Sequence, residues 1–152
     1  MGRVCMGGTF DILHIGHKSL LTRASLEGDE VLIGLTTDKR ARAGRESEVL
    51  NSYKIRKQNL ESYLTSEGLL ERFTIVPLSN DWGPSVIDKD FDAIVVSEET
   101  KKTADKINSI RVNEGKNKLS VIVVPLVLAD DGQVLSSSRI RKQEIDVKGK
   151  LT

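Results

Sequence analysis

The sequence has no second cysteine: Cys5 stands alone among 152 residues. One thiol cannot close an internal disulfide, and the scarcity suits a reducing compartment. Cys5 lies inside an apolar run, where the expected role is that of a small buried hydrophobe. There is no excess of charge either. Lys and Arg number 23 against 22 Asp and Glu, a net charge of +1. No bulk field therefore draws the chain to nucleic acid or to a membrane surface, and any anion must be held by local placement of basic groups. No apolar run approaches the roughly 20 residues that span a bilayer. Gly7, Gly8 and Asp11 arrive too early for the apolar core of a signal peptide. These absences give the expectation of a cytoplasmic protein.

What is present is the make-up of an ordinary globular domain, with 38% hydrophobic and 30% charged residues, and a length that suits one domain over residues 1–152. Short β-branched runs alternate with longer amphipathic ones. Strands are expected at residues 3–6, 30–36, 73–77, 93–96 and 119–125. A first helix is expected at 17–27, with Leu20, Leu21 and Ala24 on its buried face and Gly28 as its C-terminal cap. A second begins after Ser52 as N-cap and runs to about residue 70, with Ile55, Leu60 and Leu64 facing inward. A third covers 100–113, and the last starts near Ser137. Residues 38–48 are polar and rich in Arg and Gly, and read as a mobile loop or a short helical turn. Residues 79–84 read as loop, and Asp130-Asp131-Gly132 as a turn.

Continuous apolar strands separated by helices predict an α/β fold with a parallel sheet covered on both faces. Five strands with right-handed crossovers give a doubly wound, Rossmann-like sheet of order 3-2-1-4-5. Ligands in such sheets bind beyond the carboxyl ends of the strands, where the order reverses. Residues 7–17, after strand one, should then face residues 97–100, after strand four.

The segment Gly7-Gly8-Thr9-Phe10-Asp11-Ile12-Leu13-His14-Ile15-Gly16-His17 carries the strongest chemical signal. Glycines let backbone approach a phosphate chain. His14 and His17 are three residues apart at a helix start, so both rings can point at the same phosphates. The helix N-terminus is expected to add partial positive charge and free amide donors. Competing readings are two unrelated structural histidines or a metal pair, and no third ligand lies at convincing spacing for the latter. A second segment, Leu135-Ser136-Ser137-Ser138-Arg139-Ile140-Arg141, places hydroxyls and arginines at another helix start. Taken alone it reads first as a serine cap followed by a solvated basic face.

Together the two segments resemble the nucleotidyltransferase superfamily of the cytidylyltransferase and pantetheine-phosphate adenylyltransferase type. Asp81-Trp82-Gly83-Pro84, Val95-Val96-Ser97-Glu98-Glu99-Thr100, Ile107-Asn108 and Arg111 are similar to its archaeal and eukaryotic branch, and residues 124–132 to the archaeal form. One departure stands out: bacterial members carry a Gly- and Arg-containing loop where this chain has Ser97-Glu98-Glu99-Thr100.

The resemblance implies adenylyl transfer from ATP to 4′-phosphopantetheine, with Mg2+ carried by the ATP phosphates and water rather than by a protein cage. It implies His17 on the α-phosphate, His14 on the phosphate chain and Lys39 as a phosphate-binding lysine, the three forming the catalytic group. Gly7, Gly8, Thr9, Phe10 and Gly16 would line the nucleotide turn. Ser136, Ser137, Ser138 and Arg141 would take the β- and γ-phosphates. Thr9, Lys39, Arg56, Glu98 and Thr100 are the expected acceptor contacts; for Lys39 and Arg56 a solvated surface role competes, and for Glu98 and Thr100 a role outside the site. Acceptor choice should lie in residues 81–84, 97–100 and Arg111. Sister transferases acting on flavin mononucleotide, glycerol 3-phosphate or a phosphorylated amino alcohol remain open, as does a silent nucleotide-binding module. An isoalloxazine ring wants a broad aromatic platform, and one Trp, two Tyr and three Phe offer little of one.

Overall fold

The computed structural model describes residues 2–43, 50–79, 90–133, 136–141 and 145–151. Strand β1 (Gly2–Gly8) leads through the glycine-containing turn into α1 (Ile15–Glu27) and then β2 (Gly28–Thr36). Helices α2 (Asp38–Arg42) and α3 (Tyr53–Ser66) and a single 3-10 turn (Leu70–Arg72) precede β3 (Phe73–Leu78). Strand β4 (Ala93–Ser97), helix α4 (Lys101–Asn113), strand β5 (Ser120–Val124) and helix α5 (Ser137–Arg141) complete the order. All neighbouring strands pair in parallel, and the sheet order is β3-β2-β1-β4-β5, as the sequence predicts.

Alternate residues of the central strands go to opposite faces, as the two-residue period of a strand requires. Val4, Met6, Ile33 and Leu35 join Leu21 and Ala24 of α1 and Leu60 and Leu64 of α3 in one core. Cys5, Ile94 and Val96 join Ala104 and Ile107 of α4 in a second. Covering both faces is what lets β1 and β4 be almost wholly apolar. Among the described residues no helix is long and apolar enough to cross a membrane.

Helix α3 departs from expectation in phase and length. Arg56, Leu60 and Leu64 recur every fourth residue and are buried, whereas Ile55 is 45% exposed. The helical period set by Leu60 and Leu64 selects position 56, so the inward residue is an arginine and not the neighbouring isoleucine. The helix stops at Ser66 because Gly68 adopts φ +69. Leu69 N–H then closes on the Leu64 carbonyl at 2.8 Å, the left-handed ending that glycine favours. Ser52 is the N-cap, accepting the Ile55 amide. Gly28 caps α1 through its N–H to Ala24, but with extended backbone that opens β2. Residues 38–42 form the helical turn, capped by Thr37; Gly44, Arg45 and the rest of 44–49 lie outside the described residues.

Two ties hold the ends of the sheet. Below it, Asn108 receives the Leu119 amide at 2.7 Å and donates to the Leu119 carbonyl at 3.0 Å, and buried Arg111 donates to the Asn117 carbonyl at 2.8 Å. Above it, a turn around Asp146 brings Gly149 to Asp130 and Val147 to the first amide of α1, with Ile15 N–H bonded to the Val147 carbonyl at 3.2 Å. Ala129 and Ile145 pack with Ile15, Val127 and Ile140 beneath that turn. The Asp130-Asp131-Gly132 turn is formed, with Gly132 at φ +79, and Arg139 pairs with Asp131.

Candidate active site

A cleft of about 370 Å³ opens at the carboxyl ends of β1, β4 and β5. The 7–17 turn forms one wall, and Ser97, Glu99 and Thr100 form the facing lip. This is the arrangement expected at the reversal of strand order. Val124 to Val127 supply an apolar floor, and Ser136 and Ser137 close one end. Among the described residues that line the cleft there is no lysine or arginine.

The turn is shaped by Phe10. Its φ is +48 and its side chain is buried, a left-handed conformation that costs a non-glycine residue about 1 kcal/mol or more. Asp11, also buried, pins the turn from outside by accepting the Asn51 amide at 2.8 Å, while Asn51 Nδ2 donates to the Asp11 carbonyl at 3.2 Å. The Ser137 hydroxyl accepts Ile12 N–H at 3.1 Å and donates to the Ile12 carbonyl at 3.0 Å, joining α5 to the same turn.

His14 is the N-cap of α1. Its Nδ1 accepts the amides of Gly16 at 3.1 Å and His17 at 3.4 Å, while His17 Nδ1 accepts the His14 amide at 3.4 Å. The rings stack with centroids 3.7 Å apart, and Phe10 lies 4.9 Å from His17. Gly16 makes the stack possible, because a Cβ there would stand 2.9 Å from the His14 ring.

This geometry changes one expectation. The first amides of α1 are not open donors: Ile15 bonds Val147, and Gly16 and His17 bond His14. The imidazoles stand in their place. With His14 Nδ1 accepting two backbone N–H groups, the proton of its neutral ring lies on Nε2. Burial, followed by the neighbouring His17 charge, lowers the His14 pKa to about 3. Burial lowers that of His17 to about 4, against a backbone hydrogen bond at Ile12 and the Asp11 carboxylate, which raise it. Both rings are therefore neutral near pH 7. His14 offers an Nε2–H donor polarised from behind by the positive end of the helix, and the His17 ring stacks beside it and also interacts with the Ile12 backbone.

Other expected contacts fall differently. Gly7, Gly8, Thr9, Phe10, Gly16, Ser136, Ser137 and Thr100 line the cleft. Ser136 also caps α5 by accepting the Arg139 amide at 3.2 Å. Thr100 closes the end of β4 through Ser97, accepting its amide at 3.1 Å. On the lip, Glu99 and not Glu98 borders the cleft. Lys39 is exposed on α2 and does not border it. Arg56 does not reach the cleft either: its side chain is wholly buried and its nitrogens are engaged with Asn51, Thr9, Thr36 and Asp38. Arg111 is wholly buried, bonds the Asn117 carbonyl at the opposite end of the sheet and does not border the cleft. Residues 81–84 and the side chains of Ser138 and Arg141 lie outside the described residues.

Sequence reasoning missed Asp11, Thr36, Asp38 and Asn51 as members of the network around Thr9. Only Asp11, inside the glycine-histidine segment, carried a signal. Among the described residues no group of three or more His, Cys, Asp or Glu is gathered to hold a metal ion.

The chain is similar to known proteins in both sequence and fold. The chain matches the cytidylyltransferase-like family over residues 5–143. It is 42% identical to the phosphopantetheine adenylyltransferase of Methanothermobacter thermautotrophicus, over 96% of this chain and 87% of that one. It is also 42% identical to the enzyme of that name from Methanosarcina mazei, over 99% and 97%. A solved Archaeoglobus fulgidus protein of unknown function superimposes with a TM-score of 0.72 at 38% identity, covering 80% of this chain and 88% of that one. Shared sequence along nearly the whole length makes this chain a member of the archaeal phosphopantetheine adenylyltransferase family within the cytidylyltransferase-like proteins.

Proposed function

We propose that this protein transfers the adenylyl group of ATP to 4′-phosphopantetheine, giving dephospho-coenzyme A and pyrophosphate in the cytoplasm. The observation that carries the reading is the pair of neutral, stacked histidines that line a cleft bordered by Thr9. The acceptor phosphate is already anionic near pH 7, since a phosphate monoester has a second pKa of about 6. It needs no general base. One of its oxygens attacks the α-phosphorus, the bond from that phosphorus to the bridging oxygen breaks, and pyrophosphate departs with the electron pair.

The protein's share is positioning and charge stabilisation. His17 donates to the α-phosphate as it becomes five-coordinate, and His14 to the phosphate chain. Thr9 donates to the acceptor phosphate. The apolar floor from Val124 to Val127 suits the adenine ring. Ser136 and Ser137 stand at the end expected for the β- and γ-phosphates, with Ser138 and Arg141 beside them in the chain. Lys39, exposed on α2 outside the cleft, would have to turn inward to reach the phosphates, and Thr100 borders the acceptor side. Mg2+ supplies charge neutralisation to ATP when bound. Among the described residues the carboxylates bordering the cleft are Asp11, already committed to Asn51, and Glu99 on the lip, a donor set that suits an ion held by phosphates and water.

The test is an acceptor screen with purified protein, magnesium and either ATP or CTP. ATP with 4′-phosphopantetheine should yield dephospho-coenzyme A, and pyrophosphate should drive the reverse reaction. Comparable turnover of flavin mononucleotide or glycerol 3-phosphate, or none of 4′-phosphopantetheine, refutes the acceptor.

A further inference from the structure

Arg56 sits behind the cleft wall, and every polar hydrogen on its guanidinium is a donor. Nε donates to the Asn51 carbonyl at 3.0 Å and Nη2 to Asp38 Oδ1 at 3.2 Å. Nη1 donates to the Thr9 carbonyl at 3.0 Å and to Thr36 Oγ1 at 3.3 Å. The last contact imposes a direction. Thr36 faces a group that cannot accept, so its own proton must go elsewhere, and it goes to Thr9 Oγ1 at 3.1 Å. Thr9 Oγ1 is thereby an acceptor on its inner side. Its proton is turned away from Thr36, and the open side of Thr9 is the cleft.

We infer that Arg56 and Thr36 are positioning residues that fix the Thr9 hydroxyl as an outward donor to a phosphate oxygen of a bound substrate. The chain of bonds runs one way, from guanidinium to Thr36 hydroxyl to Thr9 hydroxyl to anion. A hydroxyl free to rotate would spend part of its time presenting a lone pair to the phosphate, which repels. Each donation also polarises the next hydroxyl. The same arginine holds the Thr9 carbonyl, so the donor is fixed in place as well as in direction. On the reading above the phosphate is the acceptor's; a nucleotide phosphate would present the same chemistry, and the probes below separate the two. The inference rests on the proposed use of the cleft for phosphate-bearing substrates.

Thr36→Val tests it. Valine keeps the shape and leaves Arg56 bonded to Thr9, Asn51 and Asp38, so the relay is cut at the loss of one Arg56 Nη1 contact. Thr36→Ser restores the hydroxyl, and Thr36→Ala replaces valine should that variant melt without cooperativity. Affinities for inorganic pyrophosphate, Mg-ATP and 4′-phosphopantetheine are measured by calorimetry, alongside steady-state KM and kcat. Thr36→Val should weaken at least one probe about tenfold, the scale of one hydrogen bond to a charged group. Thr36→Ser should stay within about twofold, since its hydroxyl restores that bond. A loss confined to 4′-phosphopantetheine assigns the acceptor phosphate, and a loss confined to ATP and pyrophosphate assigns the nucleotide; either supports the relay. The double variant Thr9→Val/Thr36→Val should bind no more weakly than Thr9→Val, because the second change removes nothing further. Unchanged affinity for all three probes, additive losses, or a serine variant as weak as valine overturns the relay. If the unaltered protein binds pyrophosphate and ATP but forms no dephospho-coenzyme A, the acceptor reading fails while the relay is still decided by those two probes. If it binds none of the three, both fall.

Discussion

His14 and His17 cap each other: each ring nitrogen Nδ1 accepts the main-chain N–H of the other residue, and the two rings stack 3.7 Å apart. The helix start and the reactive donors are thus one structure. Its parts can be separated by substitution, because capping, ring orientation and donation depend on different atoms.

Replacing His17 by alanine should lower kcat by on the order of 100-fold or more, the usual cost of losing one preorganised transition-state donor. ATP affinity should change much less, since the donor acts mainly as the α-phosphorus becomes five-coordinate. Steady-state kinetics with calorimetry read both quantities. A variant with near-normal kcat rules out the role.

Stability should depend on pH through the same pair. In the unfolded chain the histidines titrate near 6.5, and in the native state near 3 for His14 and 4 for His17. As pH falls below about 6.5 the unfolded chain takes up protons that the native rings refuse. Stability is therefore full above 6.5, declines between 6.5 and 4, and levels off near 3. His14→Asn keeps an N-cap oxygen but removes one titration, so its decline over that window should be shallower in urea melts. An unchanged slope means that burial does not hold the ring neutral.

Gly16→Ala should separate stability from activity. Alanine is the better helix residue by about 1 kcal/mol, yet its Cβ would meet the His14 ring at 2.9 Å. The ring must swing, and a misplacement of this order can cost about 100-fold in rate. Melting should stay close to that of the parent while kcat/KM collapses. Loss of both together would mean that the cap fails first.

Arg111 offers the opposite separation. It is wholly buried and bonds Asn117 below the sheet, so Arg111→Met should lower the melting temperature through about 1–3 kcal/mol of lost buried hydrogen bonding. KM for the acceptor should not move. A selective rise in that KM would return Arg111 to the acceptor site.

How much of this was legible follows from the range of each interaction. The sheet order was legible, because apolar strands and helix lengths are local properties and handedness does the rest. The nearness of His14 and His17 was legible from their spacing on one helical turn. What those rings do with their inner nitrogens was not, since sequence alone leaves the first amides of a helix free. Arg56 was misjudged for a related reason. Periodicity weighs hydrophobicity, so Ile55 looked like the inward residue. The burial of Arg56 depends on Thr9 and Thr36, 47 and 20 positions away, and no local pattern records them. Arg111 and Asn108 stood out by resemblance, but resemblance does not say which end of the sheet a residue serves.

The bond from Ile15 N–H to the Val147 carbonyl also has a meaning in time. A chain emerging from the ribosome can pair β1 with β2 early, but its first helix lacks that partner until residue 147 has been made, 132 positions later. The sheet and the adenylylation turn therefore mature at different moments of synthesis. A translation product arrested before residue 147 should be cut by protease within the His14–His17 segment while its central strands resist.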